Sequence, residues 1–543
     1  MSVALEHDGN GVFGSDARRS LRHSSPISMS RRFHVDVRSS CSLLGTALKY
    51  LSLTLLLPTA VALYYRESPL PFLVALAIAI AAGTGLEHLE PEPELEHREA
   101  FLMVALTWFF VPVIGTIPYL VDGTGTLAHP ANALFESMSG FTTTGATVMD
   151  EISVEAHPRS IMLWRQLTQW LGGMGILVLM VAILSELSVG GTQLIREEAP
   201  GIQVEKLTPR IRETARALWL LYAWFTLAAV VVYYALNLFG LAPNMTFYNA
   251  VAHALTSLPT GGFSPEGRSI EAFEPIVQWA VMPFMVIAGT NFALYWYAWR
   301  GHPERLISNA EFRSYLASMT VIGALLSVLL FLGVGLAEVP EGVAAIPGSL
   351  ERSLRHGLFQ TLAIVTTTGY ASMDFNTWSD STQVILLFAM FLGGSAGSAA
   401  GSIKIIRWYV VGKSIRRELF TVVHPQAVRP VRMGRSTEVI DEETIHSIFV
   451  FMVLFLSLFA ISTVVLFLDA HRTPGLSLSA LEATSAAIAT LGNIGPGIGV
   501  VGPMNNYEPF SHTAKLYMVF LMWIGRLEIL SVLVILTPAY WRS

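Results

Sequence analysis

Charge is scarce in this chain. Only 14% of its 543 residues are charged, against 52% hydrophobic. A soluble protein of this length needs more charge to cover its surface. Cysteine is scarcer still. The single Cys41 excludes an intramolecular disulfide framework and any cysteine-based metal site. There is no Walker-type phosphate loop and no GxGxxG following a strand, so nucleotide hydrolysis or dinucleotide binding of the usual kind is not expected. Alternating barrel-type strands are missing as well, which leaves helices as the membrane-crossing element. The polar, Arg-rich start (Arg18, Arg19, Arg22, Arg31, Arg32, Arg38) lacks the short apolar core and small-residue cleavage site of a signal peptide. It reads as a disordered cytoplasmic tail over residues 1–42.

What the chain does have is apolar runs of about 20 residues, enough to cross roughly 30 Å of hydrocarbon as helices. The expected fold is therefore an all-α polytopic membrane protein. The runs group in pairs. An extra N-terminal helix pair, followed by the acidic EPEPELEHRE loop, occupies 43–98. After it one pattern recurs: long apolar helix, short apolar stretch, Thr/Gly loop, long apolar helix. The units span 99–190, 191–305, 306–435 and 436–543, and such internal repetition defines architecture before any local signal does. Basic residues cluster between units, most densely from Lys404 to Arg435. If each unit crosses twice, all of them lie on one side, and the positive-inside rule makes it cytoplasmic. Ten crossings then put both termini inside and the four Thr/Gly loops outside.

The loops repeat Thr-x-Gly: Thr143-Thr144-Gly145, Thr260-Gly261-Gly262, Thr367-Thr368-Gly369 and Thr490-Leu491-Gly492. Each follows an apolar stretch (131–142, 247–259, 354–366, 478–489) too short to span. Taken singly these are ordinary turns, since Thr and Gly are common there. Taken together they read as four re-entrant segments. Non-helical backbone at membrane depth is tolerated only inside protein or along a water-filled cavity. Ion filters use that arrangement, with carbonyls replacing the hydration shell and glycine permitting the conformation.

Two further features stand in the apolar background. FLGGSAGSAAGSIK contains Gly393, Gly394, Gly397 and Gly401, and each interior glycine costs a helix about 1 kcal/mol relative to alanine. The segment either packs closely against a neighbouring helix through its small residues or breaks its helix beneath the loops. Arg526, in LMWIGRLEIL, is an expensive intramembrane charge. It either pairs with a carboxylate, Glu528 or Glu482, or stands near the pore axis and repels cations; both can hold at once. Asp150 and Asp374 each follow a filter glycine by five residues. They are solvated loop acids or outer-mouth acids that concentrate cations. Glu136 and Glu482 are expected to brace the loops, and Asn291 to make a structural hydrogen bond.

The stretches SMSGFTTTGAT, QLTQWLGGMGILVL, PTGGFS, TTTGY, GGSAGSAAGSIK, ATLGNIGPGIG and GRLEILSVLVILTPAYWR resemble the TrkH family of Trk-type potassium uptake subunits, in the superfamily that also contains KtrB. The leading helix pair is similar to that of TrkH rather than KtrB. The resemblance implies four helix–pore-loop–helix repeats around one central pore, with Gly145, Gly262, Gly369 and Gly492 as filter glycines. Glycine rather than serine at 145 favours potassium over sodium. The resemblance also implies that Gly393–Ser402 is an intramembrane loop that obstructs the pore and moves on gating, and it supports the pore-facing reading of Arg526. The expected product is a homodimer in the bacterial inner membrane, among lipids. It would bind a cytoplasmic nucleotide-binding regulatory subunit of the TrkA type, docked on 404–435 and 190–212. Potassium is the cargo; no organic cofactor, nucleic acid or enzymatic reaction is expected. The membrane potential supplies about 2.3 kcal/mol per charge per 100 mV, and proton or sodium coupling stays open. Two alternatives remain: the potassium-binding subunit of a P-type ATPase complex, and a non-transporting membrane scaffold.

Overall fold

The structure, a computed structural model, describes residues 35–91, 97–182, 211–337, 346–434 and 439–542. The tail before residue 35 and residues 190–210 of the expected docking loop lie outside them. The described residues are helical, without a β-strand. The leading pair is α1 (Val37–Ser52), which continues through a 3-10 turn into α2 (Leu56–Tyr65), and α3 (Leu70–Glu87). Helix α1 thus begins inside the expected tail rather than at 43. Asp36 caps it, its carboxylate accepting from the backbone of Arg38 and Ser39, the usual role of Asp at a helix start.

The first unit holds α4 (His97–Gly115), α5 (Ile117–Asp122), the short α6 (Pro130–Phe141) and α7 (Arg159–Ala182). The second holds α8 (Ile211–Leu238), the short α9 (Phe247–Ser257), and α10 (Pro275–Ala288) with α11 (Phe292–Trp299). After a connecting turn of helix, α12 (Glu304–Ser308), the third holds α13 (Ala310–Phe331), the short α14 (Leu350–Val365), and α15 (Asp380–Ala389) with α16 (Ile405–Val423). The last holds α17 (Glu442–Arg472), the short α18 (Ala480–Leu491), α19 (His512–Arg526), α20 (Leu530–Leu536) and α21 (Pro538–Arg542).

Among the described residues six helices are long and apolar enough to cross a membrane, or eight when each of two bent pairs counts as one span. Only 28–39% of each of the six apolar windows is buried within the protein. The outward faces, with Leu53, Leu227, Val321 and Val453 all more than half exposed, are stable only against hydrocarbon. The protein is thus a polytopic helical membrane protein. Helix α7, and α15 with α16, take the corresponding places in the first and third units.

The short helices are capped at their outward starts. His129, Thr246, Ser349 and Ser479 accept backbone N–H bonds at α6, α9, α14 and α18. Ser479 and Glu482 form a reciprocal capping box, the S-x-x-E pattern. All four helices then run inward and are almost wholly buried in their last two turns.

Among the described residues, three of the four second helices are broken. The third breaks over 390–404, as its glycines permit. The second bends by 95° at Gly289–Asn291 and the fourth by 115° at Leu527–Ile529; neither break was expected. Asn291 caps α11, its side chain accepting from Ala293 N–H at 2.9 Å, the structural hydrogen bond anticipated for it.

Candidate functional site

Each short helix ends in the same backbone turn. Thr143, Thr260, Thr367 and Asn493 have φ of 53°, 57°, 56° and 53°. This left-handed region is uncommon for any residue with a side chain and an outlier for β-branched threonine. The next N–H, of Thr144, Gly261, Thr368 or Ile494, reaches back to the carbonyl of Ser139, Thr256, Ala363 or Ala489 at 2.8–2.9 Å. This is a Schellman-type closure of the helix end. One residue further stands a glycine with φ of 81°, 79°, 75° or 104°: Gly145, Gly262, Gly369 and Gly495.

These four glycines form a closed ring. A Cβ on Gly145 would strike the carbonyl oxygen of Gly261; on Gly262, that of Thr368; on Gly369, that of Ile494; on Gly495, that of Thr144. Each turn therefore presses its glycine against the carbonyl of the next, around all four units and back to the first. One cavity opens over the ring, lined by all four glycines together with Arg165, Glu266, Pro496 and Tyr507. The four helix C-termini lie beneath it, and their dipoles favour a cation there.

The ring includes Thr143, Thr144, Gly145, Thr260, Gly261, Gly262, Thr367, Thr368 and Gly369, but not Thr490, Leu491 and Gly492. Thr490 and Leu491 are the last residues of α18, and Gly492 caps it with φ −82°. The fourth turn is Asn493-Ile494-Gly495. The Thr-x-Gly pattern matched three residues too early, because ATLGNIGPGIG offers several glycines and the fourth turn has no threonine. We expect Gly495→Ala to lower K⁺/Na⁺ discrimination by on the order of tenfold or more, a barrier change of about 1.4 kcal/mol. Thr490→Val, which removes only bonds within its helix to the Ala486 and Ala487 carbonyls, should leave it near wild type. Paired ⁸⁶Rb⁺ and ²²Na⁺ uptake measures both; the opposite ranking would restore Gly492.

Bracing side chains hold the turns. Glu136, fully buried, pairs with Arg165 at 2.5 Å and accepts from Thr147 Oγ1 and Val148 N–H. Glu482 accepts from Val500 N–H at 2.9 Å. Gln169 donates to the Gly261 carbonyl and accepts from Phe263 N–H. Gln360 does the same for Tyr370 and Ser372. Asn493 Nδ2 ties the fourth turn to the first, donating to Thr144 Oγ1 at 3.0 Å.

Asp150 and Asp374 do not reach the cavity over the ring. Asp150 is exposed. Asp374 caps a 3-10 turn, accepting from Asn376 N–H at 3.0 Å. The carboxylate that does line the cavity is Glu266. The sequence held a signal for it: Glu266 follows Gly262 closely, in the SPEG turn, much as Asp150 follows Gly145.

Beneath the ring, on the side away from that cavity, runs the irregular 390–404 segment. Gly401 N–H donates to Thr367 Oγ1 at 2.7 Å, and a Cβ on Gly401 would crowd the Gly492 carbonyl at 2.5 Å. Gly393 N–H bonds the Ile403 carbonyl at 2.8 Å. Gly394 packs on Gly289, and Gly397 (φ 73°) packs on the Asn291 side chain. Charged side chains hold the segment's backbone. Glu311 accepts from Ala396 N–H at 2.6 Å, Lys404 donates to the Ala400 carbonyl, and Arg526 Nη1 donates to the Ala399 carbonyl at 2.8 Å.

Arg526 is 3% exposed and ends α19 at the break. It pairs with neither proposed carboxylate. Glu528 pairs with Arg407 at the start of α16, and Glu482 braces the fourth loop. Arg526 Nε and Nη2 have no hydrogen-bond partner among the described residues; Trp108 lies 6.0 Å from the guanidinium carbon.

Four turns closed into a ring, with a charged side chain and a loop beneath, inside a bundle of membrane helices, are the parts of a membrane transport protein. The chain belongs to the TrkH family: the family model described as a cation transport protein matches residues 71–543. It is 35% identical over 514 residues to the Trk system potassium uptake protein TrkH of Vibrio parahaemolyticus, covering 93% of this chain and 99% of that one. It is 31% identical over 513 residues to TrkH of Escherichia coli K12, covering 93% and 99%. The crystal structure of the potassium transporter TrkH from Vibrio parahaemolyticus superposes with a TM-score of 0.79 at 32% identity, over 93% of this chain and 100% of that one. These relatives are named as transporters, not enzymes.

Proposed function

We propose that the chain takes up potassium across a bacterial inner membrane through the ring of four turns. The carrying observation is the cyclic packing of Gly145, Gly262, Gly369 and Gly495 on neighbouring carbonyls. Such packing suits oxygens replacing an ion's water shell. The relatives, potassium uptake proteins, supply the ion. In this reading the chain divides into a leading pair and four pore-loop units, with both termini cytoplasmic. The loop at Gly393, Gly394, Gly397 and Gly401, together with Arg526, forms the closed gate. Arg407 and Glu528 link that gate to α16. A regulatory subunit of the TrkA type, acting on a homodimer through the basic 404–435 surface, would move it.

The test is growth of a potassium-uptake-deficient bacterium at low potassium, with the regulatory subunit supplied. Wild type should rescue growth and accumulate Rb⁺. Gly145→Ser should admit Na⁺, because its Cβ and hydroxyl displace the Gly261 carbonyl. A correctly inserted wild type without uptake would favour a pump subunit or a scaffold instead.

A further inference from the structure

We infer that Glu266 is the cation-capturing carboxylate of the outer cavity and sets the apparent affinity for the transported ion. This rests on the reading of the ring as the ion path. Among the described residues lining the cavity, Glu266 is the one carboxylate and Arg165 the one cationic side chain. The positive charge of Arg165 is already matched by Glu136, buried against it at 2.5 Å. Its guanidinium carbon also lies over Phe263, 3.6 Å from the ring centre, and Nη1 donates to the Ser264 carbonyl at 2.9 Å. The balance of charge facing an entering cation is therefore that of Glu266.

The side chain is held rather than free. Glu266 N–H donates to Ser264 Oγ at 3.0 Å, and Ser264 Oγ in turn contacts His253 Nε2 at 3.1 Å. From α9, Asn249 Nδ2 donates to Glu266 Oε1 at 3.3 Å. The turn after the first ring glycine contributes the exposed Glu155, and the loop after the fourth contributes Tyr507, whose hydroxyl is spent on the Gly495 carbonyl at 2.8 Å. Arg268 is paired outward with Glu271 at 2.7 Å. A half-buried carboxylate over a narrow, low-dielectric passage focuses its field on the entrance and raises the local cation concentration.

Partial burial, reinforced by Glu155 and opposed by the Asn249 bond, raises the Glu266 pKa above the ordinary glutamate value. The charged form is lost as external pH falls through that raised value. Apparent affinity should weaken on that acid limb in the wild type, and the limb should vanish without the carboxylate.

The experiment is Rb⁺ uptake against Rb⁺ concentration in cells carrying the full chain and its regulatory subunit. Glu266→Gln can keep the Asn249 bond through its amide oxygen and loses only the charge. We expect its half-saturation concentration to rise on the order of tenfold, with the maximal rate retained. Glu266→Asp should stay near wild type. The difference between wild type and Glu266→Gln should shrink in added choline chloride, where the screening length falls below about 8 Å. Unchanged half-saturation in a normally inserted Glu266→Gln, while wild type transports, overturns this inference alone. Equal loss of maximal rate in both variants overturns it as well, by making Glu266 structural. Absence of uptake by the wild type overturns both this inference and the transport reading.

Discussion

Arg526→Ala should conduct freely without its regulatory subunit. The guanidinium is buried at the broken end of α19, held by one carbonyl of the loop beneath the ring, with Nε and Nη2 unpartnered among the described residues. A charge so placed is expensive and is kept for a purpose. Here it does two things. In the proposed reading it repels a cation leaving the ring, and it pins Ala399 of the loop. Alanine removes both. A barrier lowered by only about 1.4 kcal/mol raises flux tenfold, and losing charge and anchor together should exceed that. Arg526→Lys keeps the charge and one donor and should stay nearly closed. Rb⁺ flux into proteoliposomes of purified protein measures this. Unchanged or reduced flux in a well-folded Arg526→Ala would remove the residue from the gate.

The second large effect is expected from the loop itself. Deleting residues 396–400 removes the N–H that Glu311 holds and the two carbonyls held by Arg526 and Lys404. It also draws Gly401 away from Thr367. The ring is braced from elsewhere, by Glu136, Gln169, Gln360 and Glu482, so selectivity should survive while closure fails. The result would be a leaky pore that still prefers Rb⁺ to Na⁺, again without the regulatory subunit. A deletion variant that inserts normally and remains tightly closed would take the loop out of the gate. One that leaks both ions equally would show that the loop also supports the ring.

Much of this was legible in the residues because it depends on local pattern. Apolar run length requires a membrane, and the recurring short helix and Thr/Gly turn reveal four related units. The cluster of glycines over Gly393–Gly401 marks a segment that either packs closely or breaks its helix, since interior glycines weaken a regular helix, and the structure shows the break. Three of the four turns could be read because Gly145, Gly262 and Gly369 each follow a threonine at the same spacing.

The remainder depends on contacts between distant segments. The break at Glu528 and Ile529, where φ is 58° and 55°, contains neither glycine nor proline. Arg407 holds Glu528 and Ala399 holds Arg526 there, both from another unit. Asp150 and Asp374 looked equivalent by spacing, but the loops carry them away from the cavity that Glu266 lines. In the fourth turn several glycines were candidates. Gly495 is distinguished by its φ of 104° and because a Cβ there would crowd the Thr144 carbonyl of the first unit. Hydrophobicity and turn chemistry act over a few residues, so the sequence alone determined the class, the repeats and the helices. Which glycine closes the ring, where two helices break and which acid lines the cavity are set by steric and charge contacts across units, and those exist only once the chain has folded.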